Sequence, residues 1–188
     1  EDEFVSVTDV PRATFAKHPW SLGGGGASEL KELIEARCTG TLGALAETIG
    51  RVAQTQDDEL FSLPVGAAPR WNLPADAVAQ QCDGESVRDW SIAYDNDIIF
   101  PYSPLGTLPQ SKLGRYYEIF WMHRTSSWLR PGKGFKTIKE LGYEHYAYGL
   151  FMPDRYYTSL KIAFAFVATH NHFVLDRGGK VFKQSAPI

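Results

Sequence analysis

Leu160 to Ile188, LKIAFAFVATHNHFVLDRGGKVFKQSAPI, closes the chain with the strongest strand signals it carries. Ile162 to Val167 is a continuous apolar run and Phe173 to Leu175 a second, shorter one. Asp176-Arg177-Gly178-Gly179 is turn chemistry set before Lys180-Val181-Phe182. Three strands around a polar tip, His170-Asn171-His172, are predicted, and the arrangement reads as a recognition hairpin rather than a catalytic core. The chain opens at Glu1-Asp2-Glu3-Phe4 without an initiator methionine and stops at Ala186-Pro187-Ile188, so a piece of a longer polypeptide is expected.

Working upstream, Trp90 to Tyr94 and Ile98 to Phe100, separated by Asp95-Asn96-Asp97, read as a hairpin with a three-residue loop. Between the two strand regions lies the longest helical candidate, about Ser111 to Leu129. A core-facing stripe drawn from Leu113, Tyr116, Tyr117, Phe120, Trp121, Met122 and Trp128 is interleaved there with Lys112, Arg115 and Arg124, and Pro131-Gly132 ends it. Shorter helices are predicted over Ser28 to Arg37, with Ser28 as cap and Leu30, Leu33 and Ile34 on one face. Others are predicted over Thr41 to Ile49, from Pro74 to about Cys82, and over Thr137 to Leu141. The expected architecture is a single α+β domain over residues 1–188, a mixed and largely antiparallel sheet with helices packed against it.

Composition bounds the function. With 188 residues, 44% of them hydrophobic, the chain is long enough to bury a core without staples. No apolar run approaches a spanning helix, so no membrane partner is expected. Cys38 and Cys82 lack CxxC spacing and read as reduced thiols of a cytoplasmic protein. The net charge of −3 conceals an asymmetry: residues 1–100 hold seven Lys and Arg against seventeen Asp and Glu, residues 101–188 twelve against five. That difference, −10 against +7, points to a basic face in the second half.

Catalytic readings are weak. Gly23 to Gly26 before a helix offers unpaired N–H groups to a phosphate but lacks the GKS/T ending of a phosphate-binding loop. His170-Asn171-His172 spells HNH only by coincidence, since that nuclease name refers to residues spread over a hairpin and a helix. His170 and His172 share a strand face, yet no third ligand of suitable spacing is evident, so no metal is expected. Asp57-Asp58-Glu59 reads as a solvated acidic loop. Neither an Asn/Asp-Pro-Pro-Tyr/Phe motif for a flipped base nor an FxGxG loop for S-adenosylmethionine is present, and no catalytic residue is assigned.

The order ATFAKHPWSLGGGGASELKELIE (Ala13 to Glu35), TQDDELFSLP (Thr55 to Pro64), GESVRDWSI (Gly84 to Ile92), FPY (Phe100 to Tyr102), the aromatic helix with its trailing arginines, and FAFVATHNHFVLDRGGKVFKQSAPI carries a resemblance. It resembles the C-terminal part of large bacterial adenine-specific DNA methyltransferases, the enzymes of type IIG restriction-modification and BREX-like phage defence. The resemblance implies a target-recognition region, with the catalytic domain and its S-adenosylmethionine lying N-terminal to it in the parent and no cofactor in this piece. Double-stranded DNA, that N-terminal domain and other defence-system subunits are the implied partners. Gly134-Phe135-Lys136-Thr137 stands where the family tends to have FGKT, and Tyr143-Glu144-His145-Tyr146 where it tends to have Trp-Tyr-Glu-Tyr. Such departures bear on the bases recognised rather than on the class.

A sequence reader needs cations for phosphates and a smaller set of side chains for base edges. Arg115, Arg124, Arg130, Lys133, Lys136 and Lys139 fall within the long helix and the Pro-Gly loop behind it, and the loop members are the expected backbone contacts. Arg177, Lys180 and Lys183 surround the terminal turn. Arg177 is the candidate for a bidentate guanine or phosphate contact, with His170, Asn171 and His172 as base readers. The alternative is an interaction or regulatory domain of a defence complex that docks a partner through Tyr143, Tyr146, Tyr148, Tyr156 and Tyr157.

Overall fold

A computed structural model describes residues 5, 7, 9–16, 18, 20, 26–94 and 96–188. The chain divides into two compact units, residues 1–48 and 49–188. The first holds a 3₁₀ turn at Arg12–Ala16 and helices α1 (Ala27–Arg37) and α2 (Leu42–Leu45). The N-cap of α1 falls to Gly26, which takes the left-handed φ of 82° that suits glycine; its neighbours Gly23 to Gly25, whose sequence argues weakly for a phosphate cradle, lie outside the described residues. Leu30, Leu33 and Ile34 share a face as predicted, but all three are exposed.

In the second unit the order is β1 (Ala53–Gln54), α3 (Asp58–Phe61), β2 (Ser62–Pro64), β3 (Val78–Cys82), β4 (Val87–Arg88), β5 (Ser91–Ile92), β6 (Asn96–Ile99), β7 (Tyr102–Ser103) and β8 (Gly106–Thr107). Then follow α4 (Tyr116–Met122), α5 (Arg124–Leu129), β9 (Leu150–Phe151), α6 (Pro153–Tyr157), β10 (Lys161–Phe164), β11 (Phe173–Asp176) and β12 (Lys180–Phe182). The central sheet has the order β12-β3-β6-β2, with β12 parallel to β3 and the other pairs antiparallel. Antiparallel two-stranded ladders join β1 to β9, β4 to β5, β7 to β8 and β10 to β11. The fold is therefore α+β, mixed and largely antiparallel, as expected. Paired backbone bonds between Gly50 and Ile188, 2.7 and 3.0 Å, tie the two ends of this unit together.

Several local expectations are corrected. Pro74 opens only a 3₁₀ turn, Ala75–Ala77, after which Val78–Cys82 is a central strand. Every side chain of that strand is buried or half-buried, which suits a strand flanked on both edges better than a surface helix. Ile98 to Phe100 does not fold back on Trp90 to Tyr94: β5 pairs with β4, and β6 runs between β2 and β3. The long helix is broken at His123 into α4 and α5, so Trp121 and Met122 leave the core stripe and face solvent. Thr137 to Leu141 is a turn rather than a helix.

The core is aromatic. Phe61 contacts Phe120 and Tyr148 at centroid distances of 5.0 and 5.2 Å, and Phe100 stacks on Tyr156 at 4.4 Å. Full burial of side chains this size contributes about 1.5–3 kcal/mol each. Buried phenols carry a polar tip that must be satisfied. Tyr148 donates to the Ile99 carbonyl (2.6 Å), Tyr116 to that of Leu60 (2.9 Å) and Tyr146 to that of Leu108 (3.0 Å). Burial pushes the Tyr148 hydroxyl pKa well above its ordinary value and that of Tyr146 up to about 12. The tyrosine run on which the alternative, partner-docking reading relies is thus only partly exposed: Tyr146 and Tyr148 are buried, Tyr156 is half-buried, and Tyr143 and Tyr157 are exposed.

Candidate functional site

The Pro-Gly loop after α5 is pinned at its base. Pro131 and Thr137 form an antiparallel bridge, and Gly132 N–H donates to the Lys136 carbonyl at 2.7 Å. Glu140 accepts from the Thr137 N–H (2.8 Å) and hydroxyl (2.9 Å), and Thr137 accepts in return from Glu140 N–H, the reciprocal pattern of a capping box. Those two hydrogen bonds from Thr137 draw the Glu140 carboxyl below the usual carboxylate range. Between these anchors Gly134 takes φ +71° and Phe135 φ +62°. A left-handed phenylalanine is a strained conformation that glycine would relieve, yet Phe135 is fully exposed. The loop presents it between the exposed Lys133 and Lys136.

Around this loop, Arg124 lies 4.4 Å over the Trp121 ring and donates to the Trp121 carbonyl at 2.9 Å. Lys139 stands 5.9 Å over Trp128. These cation–aromatic pairs hold charge at the surface, and among the described residues neither cation forms an ion pair with a carboxylate. Beneath them His145 is buried; desolvation lowers its pKa, with Arg130 and Arg124 acting in the same direction and Glu144 against it.

Arg130, expected as a phosphate contact, is corrected. It is buried, and its guanidinium donates to the carbonyls of Thr55, Ser127 (3.2 Å), His145 (2.7 Å) and Ala147 (2.8 Å) while lying over the Phe61 ring. Desolvation lowers its pKa, and the carbonyl dipoles take the place of water around the charge. Its function is to hold the start of the basic loop to the β1–α3 segment.

The terminal hairpin is also reapportioned. Strand β10 ends at Phe164, so Ala165 to Val167 belong to the tip; Ala165 N–H donates to the His172 carbonyl at 3.2 Å, and Phe166 N–H to that of Ser185 at 3.0 Å. His170 and Asn171, read as base contacts, are exposed, whereas His172 is buried with Nδ1 2.9 Å from Asp89 Oδ1. Gly178 and Gly179, at φ +101° and +80°, carry the chain from β11 across to the central sheet. Arg177 projects from this crossover, exposed.

Lys180 and Lys183 are engaged. Lys180 Nζ donates to Asp176 Oδ1 at 2.8 Å, and Lys183 pairs with Asp58. Of the ten residues singled out, Lys133 and Lys136 share the pinned loop and Arg124 the helix before it. His170, Asn171 and Arg177 are exposed at or beside the hairpin, and Arg130, His172, Lys180 and Lys183 are held by internal partners. Sequence reasoning missed Asp89, because nothing local links it to a histidine 83 residues away.

Among the described residues no helix is long and apolar enough to cross a membrane. No family model matches the chain. Over 188 residues, 99% of its length, it is 31% identical to the adenine-specific methyltransferase PglX of Streptomyces coelicolor, of which it spans about 16%.

Proposed function

We propose that this chain is the DNA target-recognition part of a larger adenine-specific DNA methyltransferase of a restriction-modification or phage-defence system. The observation that carries the reading is the end-to-end similarity to PglX combined with the pinned loop, on which Lys133 and Lys136 flank an exposed Phe135. Lysines on a fixed loop neutralise phosphates and set register on a duplex, and Arg124 extends that charge along the adjoining helix. Asn171 and Arg177 supply the groups for base edges: an amide for adenine and a guanidinium for guanine or phosphate. S-adenosylmethionine and the methyl-transfer machinery belong, in this reading, to the remainder of the longer protein.

A protein-docking surface is the second reading. Met122 and Leu129 are exposed on α4 and α5 and offer nothing to a phosphate backbone. The test is sequencing of methylated adenines in cells carrying the full-length protein with Arg177→Ala. Altered or lost methylation sites with normal protein levels support the DNA reading, and an unchanged methylation pattern excludes Arg177 from recognition.

A further inference from the structure

Three metal-ligating side chains converge where the turn between β4 and β5 meets the tip of the β10–β11 hairpin. Asp89 Oδ1 is 2.9 Å from His172 Nδ1, the His170 and His172 ring centroids are 4.2 Å apart, and one donor atom from each of the three lies within 4.8 Å of the other two. The backbone that brings them together is held in place at Trp90. This residue occupies the second position of the two-residue turn Asp89-Trp90 with φ +65°, a conformation that glycine or asparagine takes at far lower cost. Its indole is 84% exposed, so packing of that ring does not explain the strain. The Trp90 backbone N–H does: it donates to the Phe173 carbonyl at 3.1 Å and fastens the turn, with Asp89 on it, to the first residue of β11 beside His172.

We infer that Asp89, His170 and His172 form a binding site for a first-row divalent cation, with Zn²⁺ the best match. Two imidazoles and one carboxylate suit zinc and its neighbours, whereas Mg²⁺ and Ca²⁺ take oxygen donors. Bonds of about 2.0–2.1 Å in a tetrahedron place donor atoms roughly 3.3 Å apart. The Asp89–His172 hydrogen bond gives way to the ion, and the exposed Asp89 and His170 side chains have room to turn toward it beside the buried His172. The Thr169 hydroxyl, 3.1 Å from His170 Nδ1, is positioned to orient that ring. Three protein ligands leave a fourth position for water, and the two histidines line a cleft together with Arg88, Thr169 and Ser185. The ion staples the hairpin tip to the β4–β5 turn. This site does not rest on the DNA reading, but it refines it: the imidazoles serve the metal, and Asn171 and Arg177 remain for the bases.

The test is Zn²⁺ titration of the chelator-treated chain by calorimetry, with Co²⁺ absorption as a second readout. A Cys38→Ser background removes the exposed thiol as a competing ligand. The expected result is one equivalent bound, affinity reduced at least about ten-fold by Asp89→Asn and by His170→Ala, and no competition from excess Mg²⁺. Both substitutions fall on exposed side chains, so the fold is retained. Absence of stoichiometric uptake, or uptake that neither substitution weakens, overturns the site.

Discussion

Asp176 and Lys161 face each other as a register pair across the β10–β11 ladder, Oδ2 to Nζ 3.7 Å, with both side chains removed from solvent. The carboxylate also accepts from Lys180 (2.8 Å) and from the Gly178 N–H (2.9 Å), and Lys161 donates to the carbonyls of Tyr156 (2.7 Å) and Thr158 (3.0 Å). The Asp176–Lys161 pair thus joins the hairpin, the crossover turn and, through Lys161, the end of α6. Desolvation lowers the Lys161 pKa against the pull of Asp176, so the ammonium depends on that carboxylate. Asp176→Asn is expected to cost about 3–5 kcal/mol, the range for leaving a buried charge uncompensated, measured by urea denaturation followed by circular dichroism. A loss below about 1 kcal/mol contradicts this account of the junction.

Arg130 and Lys136 separate folding from binding. Arg130→Met takes the guanidinium away from four carbonyls, of which that of Ser127 keeps the backbone N–H of residue 130 (3.3 Å), and a loss of about 2–4 kcal/mol in stability is expected. Lys136→Ala, at an exposed position, should stay within about 0.5 kcal/mol of the parent. Equal stabilities for the two variants would remove Arg130 from its structural role.

Alkaline pH probes the aromatic core. Burial pushes the phenols of Tyr146 and Tyr156 up to about 12 from an ordinary 10. Between these values the folded state keeps protons that the unfolded chain releases, so the stabilisation is fully present below about pH 10 and declines as pH rises towards 12. Denaturation midpoints at pH 8, about 10 and about 11 should fall in that order, with tyrosinate absorbance lagging behind that of free tyrosine. Midpoints that rise over this range would contradict the burial of these rings.

Thiol chemistry gives an independent check. Cys38 is exposed, while Cys82 is buried in β3 and burial pushes its thiol up to about 12. Iodoacetamide at neutral pH should label Cys38 alone in the native chain, and Cys82 only after denaturation, as read by peptide mass spectrometry. Native labelling of Cys82 would mean that the central sheet opens readily.

The α+β class and the terminal strands were legible because apolar runs, a Gly-Gly turn and alternating strand signals are local features. Pairings were less so. The parallel partner of Lys180-Val181-Phe182 is Gln80-Gln81-Cys82, and no local pattern encodes a pairing across about a hundred residues. The stretch after Pro74 is short and apolar, which periodicity alone cannot divide between helix and strand. Charge misled most. Arg130, Lys180 and Lys183 look like surface cations in sequence, and only the fold reveals the carbonyls and carboxylates that meet them. Asp89 carried no signal for the opposite reason: its partners lie on a distant hairpin.

Whether the pinned basic loop lies along a DNA backbone is decided by duplex binding across a salt series for the parent chain and for Lys133→Ala/Lys136→Ala. The slope of log affinity against log salt is expected to become shallower by about 0.9 for each phosphate that is no longer neutralised, roughly 1.8 for the pair. A slope that the double substitution leaves unchanged would contradict that placement of the loop.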